Sequence, residues 1–447
     1  MNLPTIASMR ARVADPRHLA ILKGMLTVAA FALVGKLLGA AKEMAVAFRY
    51  GLAAEVDAYQ FLYSLLSWPI GIWCSVLTAV LVPLAARLRA SGGDQLPRFR
   101  AELLGGGLVL GCLLALLAWI AVPALLASGR GGLPDDVARL VGSALPALIL
   151  MLPLGVLIGL QSAWMLSAGQ HVNTLFDAIP ALFIGAAILA FPGTGIAALV
   201  WGTVAGSGAH LLALLVPALR GKAIEAPRLR WISPQWRPFW QGFGIMLAGQ
   251  ALMSLTTVID QFYAVTMGTG ANATLGYANR ILSLILTLAA IAVSRATLPV
   301  FSRCEANDGK LHELVFYWAR LMLAAGVVAA LACHAAAPAM VALLFQRGEF
   351  DADDTAQVAA ALRFGLPQLP FYFSSMVLVS YALSQRRFHL IFWCGVIGCL
   401  AKVLGNMLLA PMLGVNGIAL ATSMVYCANA VFLWSASRQV HRPFFHR

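Results

Sequence analysis

Residues 103–128, LLGGGLVLGCLLALLAWIAVPALLAS, carry no Asp, Glu, Lys or Arg. As a helix this stretch rises about 39 Å, more than the ~30 Å hydrocarbon core of a bilayer. Its residues are continuously apolar and do not alternate as a barrel wall would, so a helix is the form that satisfies its backbone in lipid. Similar stretches recur along the chain. Of 447 residues, 61% are hydrophobic and 11% charged, and the mean hydropathy is +0.83. That is more apolar sequence than a soluble core of this length would bury. The expectation is an all-α polytopic membrane protein.

Apolar windows and their Pro, Gly and charged punctuation predict about twelve spans. Six lie near residues 22–48, 58–86, 103–128, 138–164, 172–191 and 195–219, and six near 239–265, 274–301, 314–345, 356–384, 389–410 and 416–436. This predicts a six-helix lobe over 1–219, a basic linker over 220–237, a second six-helix lobe over 238–437 and a basic tail over 438–447.

The net charge of +13 does not form a nucleic-acid footprint, because Lys and Arg sit mostly in short loops between apolar spans. They collect at Arg10, Arg12, Arg17 and Lys23, at Arg87, Arg89, Arg98 and Arg100, in the central linker, at Arg303 and Lys310, at Arg386 and Arg387, and in the tail at Arg438, Arg442 and Arg447. With twelve spans these all fall on one side, whereas the loop after span nine is acidic, with Glu349, Asp351, Asp353 and Asp354. The positive-inside rule then puts both termini in the cytoplasm. The N-terminus is basic and has no small-residue cleavage site, so the first span reads as a retained anchor. Seven Cys, with no C-x-x-C pair, read as packing residues.

The halves echo one another. Tyr59 with Pro83 is matched by Tyr277 with Pro299, Leu152-Pro153 and Gln170 by Leu366-Pro367 and Gln385, and Gly195-Ile196-Ala197 by Gly417-Ile418-Ala419. An even number of spans per half relates such repeats by a pseudo-two-fold along the membrane normal, around which two lobes can rock.

Ions inside apolar spans cost roughly 2.5–3.5 kcal/mol each on insertion scales, so each raises a functional hypothesis. Lys36 and Lys42 lie on span one, in Gly35-Lys36-Leu37-Leu38-Gly39-Ala40-Ala41-Lys42-Glu43. Snorkelling explains Lys42 better than Lys36. Arg280 falls near the start of span eight, where the repeat-equivalent residue of span two is Leu62, so the fold itself does not require a cation there. Converging cations at low dielectric attract a diphosphate, and a guanidinium grips its oxygens in a bidentate way. Asp57, opening span two, is a candidate counter-ion for Lys36 or Lys42. Asp177 and Asp260 lie inside spans five and seven. Lys402 and Asn406, four residues apart on one helical face, are candidate partners of Asp260, as an internal ion pair or as a cation-coupling site. Arg295, Arg320 and Arg363 read as reaching the headgroups from helix ends. His210 and His334 read as hydrogen-bonded packing residues, and Gly107-x-x-x-Gly111 and Gly202-x-x-x-Gly206 as close helix contacts.

No P-loop, HExxH, G-x-S-x-G or dinucleotide fingerprint occurs. The reading is therefore a transporter rather than an enzyme, without cofactor or metal and driven by an ion gradient or the membrane potential.

Several segments together resemble the MurJ/MviN family of lipid II flippases, within the larger group of multidrug and oligosaccharidyl-lipid exporters. They are Lys36 to Glu43, Tyr50-Gly51, Asp57-Ala58, Tyr277-Ala278-Asn279-Arg280, Leu344-Phe345-Gln346-Arg347-Gly348-Glu349-Phe350 before Asp354-Thr355, and Leu413-Gly414 with Gly417 to Ser423. The resemblance implies two lobes around a cationic cavity for an undecaprenyl diphosphate-linked sugar. It implies functional roles at Lys36, Lys42, Asp57 and Arg280, the span-one positions being arginines in the family. It also maps a sodium site of some members onto Asp260, Lys402, Asn406 and Thr422. Here Lys402 departs from the pattern: its ammonium can take the metal's place, which predicts weak or absent sodium dependence. A span-two arginine of the family is missing near Ile70 and Gly71, and the family usually has two further spans, so lipid II and related surface-glycan precursors both remain open as substrate. The alternative is a cation-coupled exporter of drugs or small molecules. The expected partners are the polyprenyl diphosphate-linked glycan and membrane lipids, with no nucleic acid, and the expected state is a monomer in the bacterial inner membrane.

Overall fold

The computed structural model describes residues 16–90, 95–128, 132–168, 170, 172–220, 225–301, 309–385 and 387–438. The expectations at Arg10, Arg12, Arg303, Cys304, Arg386 and the tail beyond Arg438 lie outside them. Among the described residues there are helices and no strands. In chain order the helices are α1 Pro16–Tyr50, α2 Ala54–Ala90, α3 Gln95–Ala127, α4 Asp135–Leu148, α5 Met151–Ser167, α6 Asn173–Phe176, α7 Ile179–Ala190 and α8 Ala197–Arg220. They continue with α9 Trp236–Val265, α10 Ala271–Phe301, α11 Gly309–Phe345, α12 Ala352–Gly365, α13 Gln368–Ser384, α14 Phe388–Leu413 and α15 Val415–Arg438.

Each of the twelve apolar stretches falls on one helix or on two consecutive ones. Among the described residues seven helices are long and apolar enough to cross a membrane, or eight if α4 and α5, bent by 50°, form one span. Leu113, Leu116, Leu117 and Ile120 of α3 are exposed, as on a helix whose side faces lipid. The chain is thus a multi-pass, all-α membrane protein.

One of the sequence echoes marks equivalent places. Leu152-Pro153 sits at the α4–α5 break and Leu366-Pro367 at the α12–α13 break, where proline lacks the N–H that would continue the helical ladder. In each case a glycine of the preceding span presses on a proline beyond the break. A methyl group at Gly111 would lie 2.6 Å from Pro153 Cα, and one at Gly326 would lie 2.5 Å from Pro370 Cα.

The chain divides into two compact units, Met1–Ala45 with Trp73–Trp119 and Pro146–Gly244, and Val46–Ile72 with Ile120–Leu145 and Ile245–Arg447. In the first, the central linker is strapped to α3. Glu102, 1% exposed, accepts the Ser233 backbone N–H and the Trp236 indole N–H, and Arg228 N–H donates to Ala101 O. Phe99, Trp164, Trp236 and Phe239 pack edge to face around this point. In the second, the turn at Gly414, whose φ of 60° suits glycine, folds α15 back onto α14. Gly405 admits Ala421 there, a methyl on it meeting the Ala421 Cβ at 2.9 Å. The six described cysteines are free thiols.

Candidate functional site

The α14–α15 hairpin brings Lys402 and Thr422 onto facing sides of one close contact, and α9 supplies Asp260. Lys402 is 1% exposed. Its Nζ lies 2.7 Å from Asp260 Oδ1 and donates to Thr422 Oγ1 at 2.5 Å and to Ile418 O at 3.3 Å. An ammonium has three protons to give, and here each has an oxygen to receive it. Asn406, one turn along α14, donates its amide to Asp260 Oδ1 at 3.0 Å. The structure therefore gathers Asp260, Lys402, Asn406 and Thr422 into one cluster. A sodium ion would need these same oxygens, and the ammonium already collects them, so the residues present do not fit the metal. Among the described residues no group of three or more His, Cys, Asp or Glu is arranged to hold a metal ion.

A second cluster forms where α1 turns into α2, and it draws together segments far apart in the chain. Asp57, fully buried, accepts the backbone N–H of Gly270 and that of Ala273 at 2.6 Å. Its carboxylate thereby caps α10, whose first N–H groups lack helical partners, and the negative charge suits that end of the helix dipole. Asn272 returns a bond from its side-chain amide to Asp57 O at 3.3 Å. Tyr277 packs its ring on Phe345 and Phe350, at 4.9 and 5.5 Å between centroids, and its hydroxyl donates to Gly51 O at 3.3 Å. Glu349 N–H donates to Phe48 O at 2.9 Å. Gly51, at φ 51°, can bear no side chain, because a methyl would lie 2.6 Å from Glu349 O and 2.9 Å from Asp354 Oδ2. Burial, with Asp351 adjacent, pushes the Asp354 carboxyl up from its ordinary value. Tyr50-Gly51, Asp57, the Tyr277 segment and the Leu344-to-Phe350 segment thus converge on one turn.

The span-one lysines and Arg280 stand as follows. Lys36 is exposed on α1. Lys42 is 13% exposed and pairs with Glu43 at 2.7 Å. Arg280 is exposed on α10, about one turn beyond Tyr277. Lys36 and Lys42 belong to the first unit, and Asp57 and Arg280 to the second. The carboxylate that sequence reasoning offered to Lys36 or Lys42 is instead taken up by the α10 amides. A cap supplied from 213 residues away leaves no local sequence signal. Glu43, adjacent to Lys42, was the acid that sequence reasoning passed over.

Arg363 donates to His334 O at 3.2 Å, and His334 itself is exposed rather than packed. His210 is buried as expected, but its Nε2 has no hydrogen-bond partner among the described residues. The glycine pairs hold: a methyl at Gly107 would touch Val156 Cγ1 at 3.6 Å, and one at Gly206 would lie 2.7 Å from Pro180 Cα.

Comparison with known proteins places this architecture. Residues 60–447 match the family described as "Lipid II flippase MurJ". The probable lipid II flippase MurJ of Vibrio cholerae is 24% identical over 440 residues, covering 93% of this chain and 82% of that protein. Lipid II flippase MurJ of Burkholderia cenocepacia is 23% identical, covering 95% and 85%. Among solved structures, lipid II flippase MurJ in an inward closed conformation superposes with a TM-score of 0.79 at 17% identity, over 92% of this chain and 87% of that one. An inward-facing transporter of the MATE family in the MOP superfamily gives 0.68 at 16% identity, over 91% and 96%; at these identities the likeness is one of fold. With the family matched from span two to the C-terminus, this chain belongs to the MurJ lipid II flippase family.

Proposed function

We propose that this protein flips an undecaprenyl diphosphate-linked saccharide, lipid II or a related cell-envelope glycan precursor, across the bacterial inner membrane by alternating access. Lys36, Lys42 and Arg280 act as the phosphate-binding cations. Asp57 is a positioning residue that fixes the start of the helix bearing Arg280. The six-span lobes over 1–219 and 238–437 are the moving parts. Both termini are cytoplasmic, the working unit is a monomer, and no cofactor takes part. The observation that carries the reading is the convergence of Tyr50-Gly51, Asp57, the Tyr277 segment and the Leu344-to-Phe350 segment on one turn, within a chain of the flippase family.

Energy comes from the membrane potential, worth about 2.3 kcal/mol per charge per 100 mV, rather than from sodium. The Asp260–Lys402 cluster is an internal ion pair in this reading. The ammonium matches the Asp260 charge, so the acid is not left open for a cationic drug.

Mass spectrometry of lipid co-purified with the full chain tests the proposal. A polyprenyl diphosphate carrying sugar is the expected species. Recovery of ordinary phospholipids alone, together with no flipping of such a glycolipid in proteoliposomes, would overturn it.

A further inference from the structure

The first unit contains a titratable pair that transport as described above does not use. On α8, Gly202, Gly206 and His210 recur every four residues and so share one stripe of the helix. The glycines press α8 onto α7, methyl groups on them meeting Ile184 Cα at 2.9 Å and Pro180 Cα at 2.7 Å. The third member of the stripe arrives where span five is interrupted. There α6 ends at Phe176, α7 begins at Ile179, and Asp177 stands in the gap.

His210 is 4% exposed, and its Nε2 lies 3.7 Å from Asp177 Oδ1. That nitrogen has no hydrogen-bond partner among the described residues, so a proton placed on it would find an acceptor within reach of a small side-chain movement. The Asp177 side chain is 64% exposed. A carboxylate at membrane depth does not stay charged against lipid, so its open side needs water or a proton.

The element that runs beside this break is α1. A methyl at Gly35 would touch Ala178 Cβ at 3.9 Å, and one at Gly185 would approach Lys42 Cα at 4.0 Å. Lys36, Lys42 and Glu43 are therefore the ionic groups that α1 brings, with Lys42 and Glu43 paired to each other. Cys74 of α2 is close enough to Asp177 to feel its charge. The helices α5, α6 and α7 contribute no Asp, Glu, Lys, Arg or His, and α8 adds only Arg220 at its end.

We propose that Asp177 and His210 together bind one proton, and that the protonated pair favours an anionic headgroup at Lys36. Without the proton, a neutral imidazole beside a carboxylate has a net charge of about −1 and competes with the anion for the lysine. With a proton from water on Nε2, the pair is neutral overall and the competition ends. Proton and anion then raise each other's affinity by the same factor, as linkage requires. The coupling half of this inference rests on the reading that the span-one lysines receive a diphosphate; the dyad itself does not.

The test uses the full-length protein in nanodiscs with isotope-labelled histidine. Without ligand, the imidazole resonance that disappears in His210→Gln is expected to titrate in one step. Asp177→Asn is expected to move its midpoint to lower pH by about one unit, since it removes the neighbouring negative charge. If His210→Gln does not fold, the resonance displaced by Asp177→Asn identifies the pair. A spectrum in which Asp177→Asn displaces no imidazole midpoint would overturn the dyad. In the second arm the probe is undecaprenyl diphosphate. Its affinity is expected to rise about tenfold as pH falls through the midpoint in wild type, and to be pH-independent in Asp177→Asn. Equal pH dependence in both would overturn the coupling. Failure of the probe to bind at any pH would overturn the coupling together with the headgroup reading, while the first arm still decides the dyad.

Discussion

The carboxylate of Asp57 holds the backbone N–H of Gly270, 213 residues further along the chain, and with it the start of the helix that bears Arg280. Gly270 has a φ of 86°, and a methyl on it would lie 3.0 Å from Leu52 O, so the turn opening α10 is built for close approach. Asp57→Ala is expected to leave two buried amides without an acceptor, at about 1–3 kcal/mol for each such group. The purified protein should melt several degrees lower, and Asp57→Asn, which keeps one acceptor oxygen, should lose less. Unchanged melting of Asp57→Ala would remove the cap from the account.

Lys402→Ala should be strongly destabilising, by about 3–5 kcal/mol, because it leaves Asp260 charged and uncompensated. The double variant Asp260→Asn with Lys402→Met should recover most of that loss, and thermal unfolding of the three proteins decides the point. Wild-type transport should be indifferent to replacing sodium with potassium at constant potential. Lys402→Ser, by contrast, vacates the Asp260, Thr422 and Ile418 oxygens and should gain thermal protection from sodium over choline. Transport that collapses without sodium would refute the assignment of the ammonium to the ion's place.

Glu102 clasps the linker through Ser233 and Trp236, so Glu102→Ala should free the segment between α8 and α9. Arg228 and Arg230 are exposed on that segment, and limited trypsin digestion should cleave there faster than in wild type. Identical cleavage rates would mean that the aromatic cluster alone retains the linker.

The α7–α8 contact offers an internal control. Gly206→Val forces a side chain against Pro180 and should cost about 1–3 kcal/mol as an overpacked position. Gly208→Ala, with nothing within 4 Å of its Cβ position, should be neutral or slightly stabilising as a helix former. Equal expression and melting of the two variants would contradict the close packing.

Lys36→Ala and Arg280→Ala should each abolish export of the glycan while leaving the protein in the membrane. Arg280→Lys should retain part of it, because the charge stays and the bidentate grip is lost. Normal export by both alanine variants, combined with loss of cationic-dye resistance in Asp260→Asn, would instead favour a drug exporter.

The apolar helical stretches were legible because each rests on neighbours in the chain, whereas the helix breaks inside 138–164 and 356–384, stretches read as single spans, came from the structure. A run such as 103–128 states its own solvent, and Leu152-Pro153 and Leu366-Pro367 were legible as an echo between the halves. The Asp260, Lys402 and Asn406 grouping was half legible, since a spacing of four puts Lys402 and Asn406 on one face. Its third donor contact, Ile418 O, is a backbone atom and carries no residue signature.

Sequence alone therefore determined that this is a twelve-stretch helical membrane chain, because hydropathy and helical period are properties of contiguous residues, and its motif segments carried the resemblance to the flippase family. Only the tertiary structure decided where the buried charges spend themselves: Asp57 on the amides of α10, Lys42 on Glu43, and Lys402 on three oxygens from two other helices' worth of chain. The reason is that a buried charge settles on whichever groups desolvation and geometry bring within hydrogen-bonding distance. At separations such as the 213 residues between Asp57 and Gly270, the fold alone sets that distance.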